Sequence, residues 1–192
     1  MSTVSIRNSI AMAGTTAQDN KTLEVDNVVN ASESIVAGDA GTAGAAGVMT
    51  LANGHGITDA NTVAVIWASG YRYGCTVSSY DSTSVTLTGG AGDTLPTSGA
   101  VVVAVQQEID LAFAGAQLKA LSMGGDIDLI IALEDAGGVE LVKQISANEA
   151  YQWNSENGEA NPVTGDDIIK ATAYAQSTTA GTATILVAYD ND

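Results

Sequence analysis

The sequence predicts an all-β protein, an antiparallel β-sandwich of the jelly-roll kind with a small β-barrel inserted in it. Three observations carry this prediction. Short stretches of Val, Ile, Leu and Ala alternate with polar residues at a period of two. Turn residues, among them 21 glycines, cut these stretches at close intervals. No segment sustains the 3.6-residue apolar repeat of a helix.

Thr3 to Ile10 sets Val4, Ile6 and Ile10 on one parity against Ser5, Arg7 and Ser9, the pattern of a half-buried strand. Asp19-Asn20 marks a turn, and Leu23 to Val29 a second strand, which Ser34 to Val36 continues after a break. The low-complexity run Gly38 to Gly47 reads as a linker, because glycine loses much backbone entropy on ordering.

The texture then changes. Val48–Leu51, Val63–Trp67, Tyr71–Val77, Ser84–Leu87 and Val101–Val105 are short strands, separated by Asn53-Gly54, Ser69-Gly70, Ser79 to Ser82 and the wide turn Gly89 to Asp93. Such spacing suggests a small barrel. Beyond Ile109 the strands lengthen. Asp126 to Leu133 puts Ile127, Leu129, Ile131 and Leu133 on one face; Gly137-Gly138 turns the chain into Val139 to Ile145. Tyr151 to Trp153 precedes the turn Asn157-Gly158, and Asp167 to Gln176 and Thr182 to Tyr189 form a last pair. Single helical turns are expected at Ala114 to Ala120 and Ala147 to Ala150. The early strands match the late ones in length, so residues 1–37 and 114–192 are expected to build the sandwich and 38–113 the inserted barrel, with the first and last strands paired.

Composition narrows the function classes. The apolar fraction is 45%, but only 15% of residues are charged and 5% aromatic, so the core is aliphatic. The formal net charge of −16 opposes nucleic-acid phosphate, and no nucleic-acid partner is expected. One cysteine cannot close an internal disulfide. No apolar run reaches the roughly 18 residues of a membrane helix, and the first residues lack a continuous apolar core. Neither a membrane partner nor a signal peptide is expected, and synthesis in a reducing cytoplasm follows.

The chemistry-bearing residues are few. His55, the one histidine, sits between Gly54 and Gly56, a turn setting; a catalytic base would need a nucleophile and an orienting partner. Cys75 stands at a strand position, where a small buried apolar cysteine is the simpler account than a thiol working with His55. The carboxylate pairs Asp126/Asp128, Asp166/Asp167 and Asp190/Asp192 match no calcium loop, although Asp126 and Asp128 share a strand face. Gly89 to Pro96 is followed by no Lys-Ser/Thr and opens no helix, so it cradles no phosphate. No catalytic residue, cofactor or metal ligand is expected. Trp67, Tyr71, Arg72 and Tyr73 cluster; they suit either a sugar-stacking patch, an interface or the cap of the barrel core.

Gly54 to Thr58, Val63 to Trp67, Gly70 to Gly74 and Gly89 to Pro96, together with the ending Thr182 to Asp190, resemble segments of virion structural proteins of tailed bacteriophages. The resemblance implies a particle component and carries over no functional residue. The expectation is a non-catalytic decoration or cement protein in the virion, docking between capsomers on the major capsid protein or other virion proteins, and forming a homo-oligomer. A tail adaptor or receptor-binding protein is the alternative within that class, and a carbohydrate-active or metal-dependent hydrolase the alternative outside it. Two contact segments are expected: an N-terminal arm bearing Ser2, Thr3, Val4, Ile6 and Arg7, suited to adding a strand to a partner sheet, and the surface of Trp67, Tyr71, Arg72 and Tyr73.

Overall fold

The computed structural model describes residues 16–25, 29–35, 46–97, 99–163, 167–176 and 180–190. Fourteen strands and two single 3-10 turns account for the regular structure of these residues, which contain no α-helix. All-β architecture is therefore what the chain adopts. The strand expected at Thr3 to Ile10, the arm residues Ser2, Thr3, Val4, Ile6 and Arg7, and most of the Gly38 to Gly47 run lie outside the described residues.

Contacts divide the chain into two compact units, one of residues 1–23, 108–172 and 182–192, the other of residues 24–107 and 173–181. The second unit holds a closed barrel of six strands: β2 (Val29–Ile35), β3 (Gly47–Leu51), β4 (Thr62–Trp67), β5 (Gly70–Tyr80), β6 (Ser84–Gly92) and β7 (Val101–Val105), in the order β2-β3-β6-β5-β4-β7. The ring closes where β2 pairs antiparallel with β7, Val29 opposite Val103 and Ala31 opposite Val101. Its interior follows from the period-two pattern. Met49 and Leu51, Val63 and Val65, Cys75 and Val77, Val85 and Leu87, and Val101 and Val103 all point inward, and Ile57 and Leu95 add to them from the connecting loops. Thr50, Thr76, Ser78 and Thr88, the intervening positions, are exposed. Aliphatic side chains, with Met49 and Cys75, form the interior of this narrow ring, and closure of the ring leaves no open edge among its six strands.

Two four-stranded sheets make up the rest. One has the order β1-β14-β9-β12, from β1 (Thr16–Val25), β14 (Gly181–Asp190), β9 (Leu118–Gly125) and β12 (Ala150–Asn154). The other has the order β11-β10-β13-β8, from β11 (Gly138–Ile145), β10 (Leu129–Asp135), β13 (Asp167–Ala175) and β8 (Gln107–Ala114). The sheets touch through side chains: Phe113 of β8 stacks on Tyr189 of β14 with ring centroids 5.8 Å apart, and the Lys143 ammonium of β11 lies 4.4 Å from the ring centre of Tyr151 on β12. This is a sandwich. Ile185 faces Met123 and Val187 faces Leu121 across β14 and β9, so one inner face is a continuous aliphatic surface.

Several sequence expectations are corrected by this topology. Asp19-Asn20 is no turn but lies within β1, which sits beside β14. Leu23 to Val29 is not one strand: its first residues end β1 in the sandwich and Val29 begins β2 in the barrel. Barrel strands accordingly run from 29 to 105, and β8 belongs to a sandwich sheet. Asp167 to Gln176 and Thr182 to Tyr189 do not pair, because β13 lies in one sheet and β14 in the other. Alternation identifies the buried face of a strand but not its neighbour, and in a sandwich consecutive strands often cross between sheets. Gly89 to Gly92 is strand rather than turn, with Gly89 opposite Cys75 and Gly92 opposite Arg72. Ile130 and Ala132 are as fully buried as Leu129 and Ile131, so β10 is apolar on both faces. Of the two helical turns expected, residues 115–117 form a 3-10 turn, while Ala150 begins β12.

Candidate functional site at the tip of the barrel

Strands β4 and β5 form a hairpin through the two-residue turn Ala68-Ser69, with Trp67 opposite Gly70 and Ile66 opposite Tyr71. The hairpin brings all four aromatic and basic candidates together. Trp67 packs against the barrel core, so it caps the interior. Tyr71 and Tyr73 share one strand face by parity, with rings 6.2 Å apart and tilted by 36°. Both are half-buried.

Arg72 projects from the opposite face and is held by backbone oxygens. Its Nε donates to Gly89 O at 2.7 Å, its Nη2 to Gly90 O at 2.7 Å and its Nη1 to Asp93 O at 3.1 Å. A guanidinium presents its donors in a planar fork, and here the fork grips the end of β6. Glycine makes that grip possible. Gly90 adopts φ +75°, and a Cβ there would stand 2.7 Å from both Cys75 Sγ and Tyr73 O. The strand therefore comes closer to β5 than any side chain permits. Arg72 is the one Lys or Arg between Lys21 and Lys119, and the barrel spends it on its own framework.

Asp93 completes the tip. Its N–H donates to Tyr71 O at 3.0 Å, and its Oδ2 accepts the Tyr71 N–H at 3.2 Å. The sequence marked Tyr71 and Arg72 but missed Asp93 and the carbonyls of Gly89 and Gly90. An isolated arginine facing a glycine-rich strand was the available signal.

The remaining chemical candidates are similarly committed. The Cys75 thiol is fully buried, and burial pushes its pKa up to about 11, against the opposing pull of the Arg72 charge. His55 accepts the Ile57 N–H at Nδ1 (3.0 Å), so its Nε2 carries the proton donated to Asp81 O at 2.9 Å. The imidazole thus ties the 52–58 loop to the β5–β6 turn. In that turn the Asp81 carboxylate accepts the Thr83 N–H at 2.7 Å and the Ser84 hydroxyl at 3.0 Å. These bonds lower its pKa.

Asp126 and Asp128 do not share a strand face: β10 begins only at Leu129. Asp126 Oδ1 accepts the Thr182 N–H at 2.6 Å and Asp128 Oδ1 the Ala147 N–H at 2.7 Å, so each braces a different chain crossing. Asp190 pairs with Lys119 at 2.8 Å; Asp166 and Asp192 lie outside the described residues. Among the described residues, no three His, Cys, Asp or Glu side chains are grouped to hold a metal ion. On the β8/β10/β13 surface, Lys170 meets Glu108 at 3.2 Å and Glu134 at 3.3 Å, and Glu134 also accepts the Thr172 hydroxyl at 3.0 Å.

The chain matches no protein family, no curated relative and no solved structure.

Proposed function

We propose that this chain is a non-catalytic structural protein of a phage particle, which stabilises the capsid by docking between capsomers. One observation carries the proposal: the side chains with chemical capacity serve the framework. Arg72 grips three carbonyls, His55 uses both ring nitrogens to pin a loop, and Cys75 is buried as an uncharged thiol. A closed aliphatic barrel and a two-sheet sandwich suit a part whose task is to keep its shape. The net charge of −16 keeps free copies apart and favours mating with a less acidic or basic surface.

Docking on this reading uses the barrel tip, where Tyr71 and Tyr73 offer amphipathic rings on a hairpin fixed by Arg72 and Asp93, together with the N-terminal arm. Electron microscopy of particles labelled for this chain tests the role. Labelling at many capsid positions supports decoration; labelling around the tail axis would move the protein to an adaptor or receptor-binding role; labelling on no particle would end the virion reading. Self-association tests the docking. It is expected to strengthen from low to moderate salt, as the Debye length shrinks to ~8 Å near physiological ionic strength, and Tyr71→Ala with Tyr73→Ala is expected to weaken it. A chain that stays monomeric at every salt and at high concentration would count against self-assembly.

A further inference from the structure

The chain contains the dipeptide Asn-Gly twice, at Asn53-Gly54 and Asn157-Gly158. The two sites are closely matched. All four residues are exposed. Both glycines are left-handed, with φ +80° at Gly54 and +73° at Gly158, and a Cβ at either would meet nothing within 4 Å. What differs is how each is tied to the rest of the fold.

Gly54 is tied across the barrel surface. Its own N–H donates to Ser82 O at 3.1 Å. On either side, Leu51 N–H donates to Thr83 O at 2.8 Å and His55 Nε2 to Asp81 O at 2.9 Å. Three consecutive residues of the β5–β6 turn thus hold the segment. Among the described residues, Asn157 is hydrogen-bonded within its own turn, where Asn154 Oδ1 accepts the N–H groups of Glu156 and Asn157 at 2.8 and 3.2 Å. Beyond it, the first long-range tether among the described residues is Asn161 Nδ2 to Gly115 O at 2.9 Å.

We propose that Asn157 is a site of spontaneous backbone modification in the folded protein, and that Asn53 is protected. The Gly158 nitrogen attacks the Asn157 side-chain carbonyl carbon; a C–N bond forms, the side-chain nitrogen leaves as ammonia, and the glycine proton leaves with it. Water then opens the imide at one of its two carbonyls, giving aspartate or isoaspartate. Glycine favours the attack because no side chain hinders its nitrogen and because it moves readily through backbone conformations. The attack also requires rotation about the asparagine backbone, which a locally held exposed turn permits and a cross-braced segment resists. Each event adds one negative charge, and the isoaspartate product lengthens the backbone by one methylene beside β12.

The test is incubation of the native full chain at 37 °C, with charge variants separated by ion exchange, isoaspartate counted by enzymatic methylation, and the position fixed by peptide mass mapping. Conversion at Asn157 is expected to be faster than at Asn53 by on the order of tenfold or more. It should vanish in Asn157→Gln and persist in Asn53→Gln. In urea both sites should react alike, since the contrast belongs to the fold, and His55→Ala should speed conversion at Asn53. Native Asn53 reacting as fast as Asn157 would overturn the proposal. So would neither site reacting in the time that converts both in urea, or Asn53 remaining equally slow in the His55→Ala protein.

Discussion

Tyr71 and Asp93 hold one another twice, the Asp93 N–H on the Tyr71 carbonyl at 3.0 Å and the Tyr71 N–H on the Asp93 carboxylate at 3.2 Å. Gly70 beside them is closely covered: a Cβ there would run into Asp93 Oδ2 and lie 3.0 Å from Trp67 Cζ2, so a side chain would have to displace the Asp93 carboxylate. The barrel tip is therefore a fixed platform.

Removing the Arg72 fork should loosen that platform. Hydrogen bonds to a charged donor contribute about 1.5–3 kcal/mol each, and three on one side chain are not additive. Arg72→Ala is expected to cost roughly 2–4 kcal/mol in urea unfolding. Arg72→Lys should recover only part of this, because an ammonium cannot reach three carbonyls in a planar fork. An unchanged unfolding midpoint in Arg72→Ala would show that the grip stabilises nothing.

Much of the barrel was legible in the sequence. The strands Val63–Trp67 and Val101–Val105 were legible as short apolar runs cut by turn residues, but with apolar residues at every position they did not show which side chains face inward. The partnership of Arg72 with Gly89 and Gly90 was hidden, because it joins residues that only the β5–β6 pairing brings together. The same reason hid the separation of β13 from β14. Asp126 and Asp128 were placed on one strand face because the apolar alternation Ile127, Leu129, Ile131 and Leu133 runs on unbroken through the bend, while Gly124 and Gly125 before it belong to β9.

Burial of Cys75 makes a prediction about its reactivity. The thiolate is the reactive form, and a pKa raised from 9.0 to about 11 keeps the native thiol protonated at mildly alkaline pH. Between those values the unfolded chain gives up the proton and the folded chain keeps it, so stability falls as pH rises through that window. Alkylation should proceed at the rate of barrel unfolding. Rapid labelling of the native protein would contradict this burial.

Asp81 has the opposite sign. Its folded pKa lies below 3.8, chiefly because it accepts the Thr83 N–H and next because it accepts the Ser84 hydroxyl. Its contribution is present above the unfolded value and lost as pH falls through the folded one. Asp81→Asn should therefore weaken the β5–β6 turn at neutral pH, and the difference from wild type should shrink below pH 3.8. Amide exchange at Thr83 reads the turn directly. A difference that stays constant into acid would remove the carboxylate from the account.

Trp153, a residue 4% exposed in the sandwich, carries a buried indole N–H with no acceptor among the described residues. A buried unsatisfied donor costs about 1–3 kcal/mol. Trp153→Phe removes that cost along with some packing, and is expected to lose less than about 1 kcal/mol. Trp153→Ala should lose about 3–5 kcal/mol. A large loss in Trp153→Phe would mean that the N–H has an acceptor in solution.

The order in which partners leave the ribosome now matters. The ring of the barrel is complete once β7 has emerged, because β2 needs only Val101 to Val103 to close against. Strand β1 must wait much longer, since its sheet neighbour β14 spans Gly181–Asp190. Throughout synthesis of the intervening chain, β1 lacks the one strand it pairs with among the described residues. Sequence-distant pairings of this kind form slowly, and unpaired edges invite contacts between nascent chains. The net charge of −16 sets such chains against one another.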